Sequence, residues 1–384
     1  MTDISFESLG LATPLLRALQ AAGHTSPTPI QSQAIPPALA GRDVQGIAQT
    51  GTGKTAAFAL PILQRLTAAN RPLTRGQVQA LVLAPTRELA AQIADQVRIY
   101  GRQTGLRSAV MFGGVPKPRQ ARQMERGVHI LVATPGRLLD HMQDGAVRLD
   151  QTGILVLDEA DHMLDLGFIL PIRRIVKELP AERQVLFFSA TMPKEIGDLA
   201  RALMHDPVQV SVAPVATTAE RVEQRVIHVE QSRKRHILFD LLSSEADGPT
   251  LVFTRTKHGA DRVVKHLEEA GMPAVAIHGN KSQGQRERAL AAFRSGDSRV
   301  LVATDIAARG IDVAGVSHVI NFDLPNVAES YVHRIGRTAR AGAAGVAISL
   351  CDPSERAFLR DIEKLIRAPV TVTRAPQPGL ARAA

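Results

Sequence analysis

Apolar positions along this chain fall into two alternating patterns. Short β-rich runs occupy residues 81–84 (LVLA), 130–133 (ILVA), 154–157 (ILVL), 185–188 (VLFF), 251–253 (LVF), 300–303 (VLVA) and 346–350 (VAISL). Between them lie helical spacings, as in Leu89, Ile93 and Val97, or Val263, Val264 and Leu267 with Gly271 as the stop. Strands that are apolar throughout and alternate with helices predict an α/β fold, with mostly parallel sheets covered by helices on both faces. The pattern recurs on both sides of Ala213-Pro214-Val215-Ala216-Thr217-Thr218, which reads as an interdomain linker. The expected division is a first domain over 1–212, a linker over 213–219, a second domain over 220–374 and a flexible tail over 375–384. Near the start, Thr13-Pro14 reads as an N-cap with an N1 proline, and Gly23 as the end of that helix.

Composition narrows the classes. The single cysteine, Cys351, excludes a disulfide scaffold and a cysteine-based zinc site, and fits a reducing cytoplasm. No run of 18 apolar residues exists to span a membrane, and the opening MTDISFESLG lacks the basic region of a signal peptide. A formal charge of +9 invites an acidic partner. Residues 1–212 carry 22 basic and 18 acidic side chains, and 213–384 carry 24 and 19, so both halves share the excess. Aromatic residues, at 3%, leave few platforms for stacking bases.

In parallel sheets, ligands bind beyond the carboxyl ends of the strands. Those loops here read APTREL, ATPGRL, DEAD, SATMP, TRTKHG and ATDIAARG. One earlier loop carries a stronger signal, Ala48-Gln49-Thr50-Gly51-Thr52-Gly53-Lys54-Thr55, a P-loop pattern between a short apolar run at 43–48 and the helical run 56–60. Its glycines let backbone N–H groups curl around phosphate oxygens at a helix start. Lys54 then reaches the β- and γ-phosphates, and the Thr55 hydroxyl ligates Mg²⁺. The run 154–157 ends in Asp158-Glu159. Asp158 suits Mg²⁺, partly through water, and Glu159 suits orienting or deprotonating the attacking water.

The full tetrad, Asp158-Glu159-Ala160-Asp161, completes a set of about a dozen motifs in order over residues 6–345. In these the chain resembles the DEAD-box RNA helicases of superfamily 2, ATP-dependent enzymes built from two tandem RecA-like domains, and most of all their bacterial RhlE-type members. The resemblance implies that residues 23–31 (GHTSPTPIQ) form the Q motif, with Gln31 reading adenine and Phe6 supporting that site. Without it, Gln31 reads as a polar helix cap. The resemblance further implies that Ser189-Ala190-Thr191 links the ATP site to RNA through Asp161, with His333 in the same coupling role. Arg337 and Arg340, in His333-Arg334-Ile335-Gly336-Arg337-Thr338-Ala339-Arg340, become arginine fingers for the γ-phosphate, and Gly310 and Asp312 lie near the ribose. Ala339 and Ile311 depart from the usual Gly and Leu; if position 339 needs a positive φ, alanine costs about 1 kcal/mol there.

The remaining loop residues suit a sugar-phosphate backbone, with hydroxyls, bare N–H groups and guanidinium forks. They are Pro85, Thr86, Arg87, Gly113, Gly114, Thr134, Pro135, Gly136 and Arg137 in the first domain, and Thr256, Gly279, Gln285, Arg288, Thr304 and Asp305 in the second. The scarcity of aromatics agrees with backbone rather than base recognition. Arg233-Lys234-Arg235-His236 reads instead as the solvated start of a helix. The expectation is a monomeric, cytoplasmic ATP-dependent RNA helicase that holds single-stranded RNA across both domains, closes on ATP and Mg²⁺, and separates short duplexes locally. An ATP-gated RNA clamp and a DNA-directed helicase are the alternatives.

Overall fold

The structure is a computed structural model and describes residues 4–49, 51–212, 222–246, 248–308, 315–339 and 345–376. It divides into two compact units, Met1–Pro214 and Val215–Ala384. The first holds a seven-stranded parallel sheet of β1 (Val44–Ile47), β2 (Val78–Leu83), β3 (Ser108–Met111), β4 (Val128–Ala133), β5 (Ile154–Leu157), β6 (Gln184–Ser189) and β7 (Val208–Ser211), in the order β3-β4-β2-β5-β6-β1-β7. Helices pack on both faces, so β2, β5 and β6 are buried at every residue. One core gathers Phe58, Val82, Val156 and Phe188, and the other Leu81, Leu155 and Phe187. Alternate residues of the same strands thus face opposite cores.

The second unit repeats the plan with β8 (Val222–His228), β9 (Thr250–Phe253), β10 (Ala274–Ile277), β11 (Val300–Ala303), β12 (His318–Asn321), β13 (Gly345–Cys351) and β14 (Thr371–Val372), in the order β10-β11-β9-β12-β13-β8-β14. All of its pairings are parallel too. Cys351 ends β13 in the core, and burial, then the nearby Glu355 charge, push its thiol up to about 11.

Two local expectations change. The first helix runs Thr13–Ala21 with Ala12 as N-cap, so Thr13 lies inside it and Pro14 follows, while Gly23 does close the helix with φ +79°. Lys234 is not solvated: its side chain is fully buried, and Nζ lies 2.5 Å from Glu355, 3.1 Å from Asp352 and 3.7 Å from Asp323. Arg233, Arg235 and His236 are exposed, as expected of a helix start. The linker segment and most of the tail lie outside the described residues.

Candidate nucleotide and nucleic-acid site

Parallel register sets the strand ends of the first unit side by side, with Ile47 opposite Ser189 and Leu157 opposite Phe187. The P-loop leaves β1, the Ser189 motif leaves β6 and the tetrad leaves β5, so one half of the sheet gathers the nucleotide-site candidates. Gly51 and Gly53 take φ +84° and +94°, the left-handed turn that starts helix α3 (Lys54–Ala69). A Cβ on Gly53 would run into the Gln31 amide. Gln31 is the helix cap that the residues alone offered, and it also touches the P-loop. Its Oε1 accepts the Thr28 N–H at 2.9 Å in a capping box, and its Nε2 donates to the Gly53 carbonyl at 3.1 Å. Ala48 is buried, and Thr52 Oγ1 donates to the Gln49 carbonyl, shaping the same turn. Thr55 is half-buried. Phe6 is packed into the core with Leu9 and Leu11, and Thr50 lies outside the described residues.

Lys54 is 5% exposed, yet Nζ makes no hydrogen bond; its nearest counter-charge is Asp158 Oδ1 at 3.8 Å. A buried ammonium so loosely paired is costly unless an anion joins it. The Asp158 carboxyl is buried as well, and desolvation raises it to about 6 against the pull of Lys54. Glu159 N-caps the short helix α7 (Ala160–Asp165) with φ 53°, a left-handed conformation that costs a non-glycine residue about 1–3 kcal/mol. Asp161 Oδ2 accepts the Thr191 N–H and hydroxyl at 3.0 and 2.9 Å, while Ser189 Oγ accepts the Asp161 N–H at 3.2 Å and donates to the Thr191 carbonyl. The tetrad and the Ser189-Ala190-Thr191 motif thus form one hydrogen-bonded unit.

The other half of the sheet, β3-β4-β2, carries the backbone-binding candidates. Arg87 lies across Gly113 and Gly114: a Cβ on Gly113 would sit 3.1 Å from its guanidinium, and Gly114, at φ +82°, has no room for one. Pro85, Thr134 and Pro135 are buried, and Gly136 faces open space. Thr86 N-caps helix α4 (Arg87–Tyr100) by accepting the Leu89 N–H. Arg137 differs from a free phosphate fork. Its Nη1 donates to the Val115 carbonyl at 2.9 Å and to Gln120 at 3.0 Å, and Gln120 also holds the Phe112 carbonyl and meets His141. Arg137, Gln120 and His141 together brace the loop that carries the two glycines.

Around the second sheet, Thr256 caps the helix Lys257–Glu269 by accepting the Gly259 N–H, and Gln285 caps Gln283–Ser295 in a box with Ser282. Gly279 and Arg288 are exposed, and Thr304 is half-buried. Asp305 is committed elsewhere. Both its oxygens pair with Arg334 at 2.5 and 2.7 Å, so its charge organises its own loop. Arg334, 1% exposed, also donates to Asn321 and the Asp323 carbonyl. Arg337 is buried too, with Nε donating to the His333 carbonyl. Gly310, Asp312 and Arg340 lie outside the described residues.

Residues 28–199 match the DEAD/DEAH box helicase family and 233–342 the helicase conserved C-terminal domain. The chain is 42% identical over 372 residues to the DEAD-box ATP-dependent RNA helicase RhpA of Helicobacter pylori, covering 97% of this chain and 74% of that one. It belongs to the DEAD-box ATP-dependent RNA helicases. The Arabidopsis thaliana DEAD-box ATP-dependent RNA helicase 30 is 44% identical, covering 94% of this chain but only 62% of the plant protein. Identity this even between bacterial and plant members is consistent with the RhlE-type likeness without singling it out. Among solved structures, S. cerevisiae Dbp5 L327V bound to RNA and ADP BeF3 superposes with TM-score 0.85 at 33% identity, covering 97% of this chain and 95% of that one.

What sequence reading missed in this DEAD-box protein is the scaffold beneath the motifs. Gln120, His141, Arg334, Lys234 and Glu355 are all buried polar or charged residues. A buried charge with its partners far along the chain leaves no local pattern. Arg334 alone had a signal, as the motif arginine not assigned to ATP.

Proposed function

We propose that the chain binds ATP with Mg²⁺ at the P-loop, binds single-stranded RNA mainly by its sugar-phosphate backbone, separates short duplexes locally and hydrolyses ATP to release the strand. The observation that carries this reading is Lys54, a buried ammonium without a hydrogen bond, 3.8 Å from a buried carboxylate at the start of a P-loop helix. A triphosphate would bring the anion that such an ammonium pairs with. Thr55 and Asp158 would hold Mg²⁺, partly through water, and the donor set fits a hard cation: a hydroxyl and a carboxylate that burial holds above its ordinary range. When bound, the ion neutralises charge on the phosphates. Gln31 supplies an amide beside the P-loop for adenine, and Glu159 takes the proton of the attacking water. Gly310 and Asp312 are assigned to the ribose, and Arg337 and Arg340 to the γ-phosphoryl charge, where such fingers contribute about 10³–10⁵ in rate.

For RNA, the candidates divide. Arg87 over Gly113-Gly114, with Thr86, Gly136, Thr256, Gly279 and Arg288, offers donors to phosphates. Arg137 and Gln285 act mainly by shaping the loops beside them. Asp161, Ser189, Thr191 and His333 couple the two ligands, which then favour each other's binding by equal factors. RNA is the partner of the Dbp5 structure named above, which supports the same ligand here. A monomeric, cytoplasmic enzyme is part of this reading; the single, buried cysteine agrees with a reducing compartment, and no helix among the described residues is long and apolar enough to cross a membrane.

ATP turnover with single-stranded RNA, with single-stranded DNA and with neither, in the wild type and in Glu159→Gln, tests the reading. Stimulation by RNA, little by DNA, and loss of turnover with RNA still held in the variant is the expected result. Equal stimulation by DNA refutes the RNA assignment. Wild-type turnover in Glu159→Gln refutes the base.

A further inference from the structure

Histidine 162, one residue beyond the tetrad, is used by none of the roles above. Its ring is buried (3% exposed), with Nδ1 3.4 Å from Oε2 of the equally buried Glu159. Nε2 makes no hydrogen bond. A buried imidazole nitrogen left without a partner costs about 1–3 kcal/mol. The neighbours Met163 and Leu164 show that α7 accepts apolar side chains, which would avoid that cost. The ring's hydrogen bond instead goes to the catalytic carboxylate.

We propose that His162 positions Glu159 for ATP hydrolysis by donating a hydrogen bond from Nδ1 to its carboxylate, without itself touching ATP. This rests on Glu159 acting as the base. A base is ionised when it works, and an ionised carboxylate only accepts, so the proton of this bond resides on Nδ1. Glu159 occupies the N-cap of α7 and His162 the third helical position, an i,i+3 pair on one face of a helical turn. The left-handed backbone at Glu159 carries its side chain off the helix path, and the imidazole closes on it from the following turn. The 3.4 Å spacing is that of a bond made before substrate arrives; such contacts tighten in the working complex.

The same histidine is tied to the coupling motif from its other end. Its backbone N–H donates to Asp161 Oδ1 at 3.1 Å, and Asp161 Oδ2 holds Thr191. A displacement of Thr191 therefore reaches the base through Asp161 and His162, two residues in sequence. No titration of the ring is involved: a neutral donor suffices.

The test is RNA-saturated ATP turnover, together with affinity for a fluorescent ATP analogue, in the wild type, His162→Leu, His162→Asn and Glu159→Gln. Loss of carboxylate orientation lowers kcat of His162→Leu about ten- to a hundredfold, while KM for ATP and analogue affinity stay within about twofold. Asparagine carries an N–H donor at the place of Nδ1, so His162→Asn retains most of the wild-type kcat. A His162→Leu enzyme with wild-type kcat, beside an inactive Glu159→Gln, overturns the role of His162 and leaves Glu159 as base. Loss of analogue affinity in step with kcat, or an asparagine variant as slow as leucine, means a merely structural histidine and also overturns it. Turnover surviving in Glu159→Gln removes the base itself, a different failure.

Discussion

Ala339 holds φ at +55° directly after Thr338, whose hydroxyl donates to the Val316 carbonyl at 2.6 Å. The sequence shows alanine where this family usually has glycine, and the angle shows what the exchange costs. An L-residue in that region carries about 1–2 kcal/mol of strain, against about 0.5–1 kcal/mol of extra chain entropy that glycine loses on folding. Ala339→Gly is therefore expected to stabilise the C-terminal unit by about 0.5–1 kcal/mol, read as a higher urea midpoint at an unchanged slope. A lower midpoint would show that the Ala339 methyl, packed against the core, outweighs the strain. Other single residues were less legible. Arg137 and Asp305 sit in motif positions, but their committed partners, Gln120 and Arg334, lie 17 and 29 residues away. Residue type announces a charge; only the fold says whether that charge is already spoken for.

Strands were legible where their sequence is continuously apolar. Strands β2, β4, β5, β6, β9, β11 and β13 stand inside their sheets and are apolar runs in sequence. The edge strands β3, β7, β10 and β14 were passed over, and so were β8 and β12 inside the second sheet, where polar residues such as Glu223, Gln224, Arg225 and His318 interrupt the apolar run. The turn Pro353–Glu355 and the burial of Lys234 at its helix start were illegible for another reason: their meaning is a shared ion network. Lys234 touches Glu355, Asp352 and Asp323; Glu355 also accepts from Arg255 and the Leu324 N–H. Arg255 precedes Thr256, so this network fixes the loop from which a proposed RNA contact projects. Burial raises the Glu355 carboxyl, whereas at Asp352 burial is outweighed by hydrogen bonds from Ser354 and Lys234, which hold it below its ordinary value. A depressed acid stabilises the fold above its unfolded pKa, near 3.9, and that stabilisation is lost as pH falls through the lower folded value. Asp352→Asn keeps a side chain able to cap the Ser354 turn but removes the charge. Its deficit is expected to be about 1–3 kcal/mol at neutral pH and to shrink below pH of about 4, measured by urea unfolding at a series of pH values. A deficit that does not change with pH would mean the charge contributes nothing.

At the scale of the whole molecule, each sheet sorts its loops by half. In the first unit β5, β6 and β1 end in nucleotide-site candidates, while β3, β4 and β2 end in backbone-binding candidates; in the second unit β10, β11 and β9 carry the matching candidates. Strand order was not readable from the chain, since parallel runs do not name their neighbours, yet the ends of those runs already held nearly every site residue. The shared +9 charge divides: Lys54, Arg87 and Arg288 stand among the candidate ligand contacts, whereas Lys234 and Arg334 lie in the interior.

Cys351 gives the molecule a last, practical property. Its thiol is sequestered in the second core and pushed up to about 11, so at neutral pH it is scarcely a nucleophile. A maleimide is expected to leave the folded chain at its native mass and to add one equivalent once urea opens it; labelling without urea would contradict the burial. The native sequence is thus already a blank background for thiol-directed fluorophores. Two surface cysteines, one in each unit, would carry a donor and an acceptor dye with no residue removed, and energy transfer between them would report, molecule by molecule, whether ATP, RNA and hydrolysis change the distance between the units.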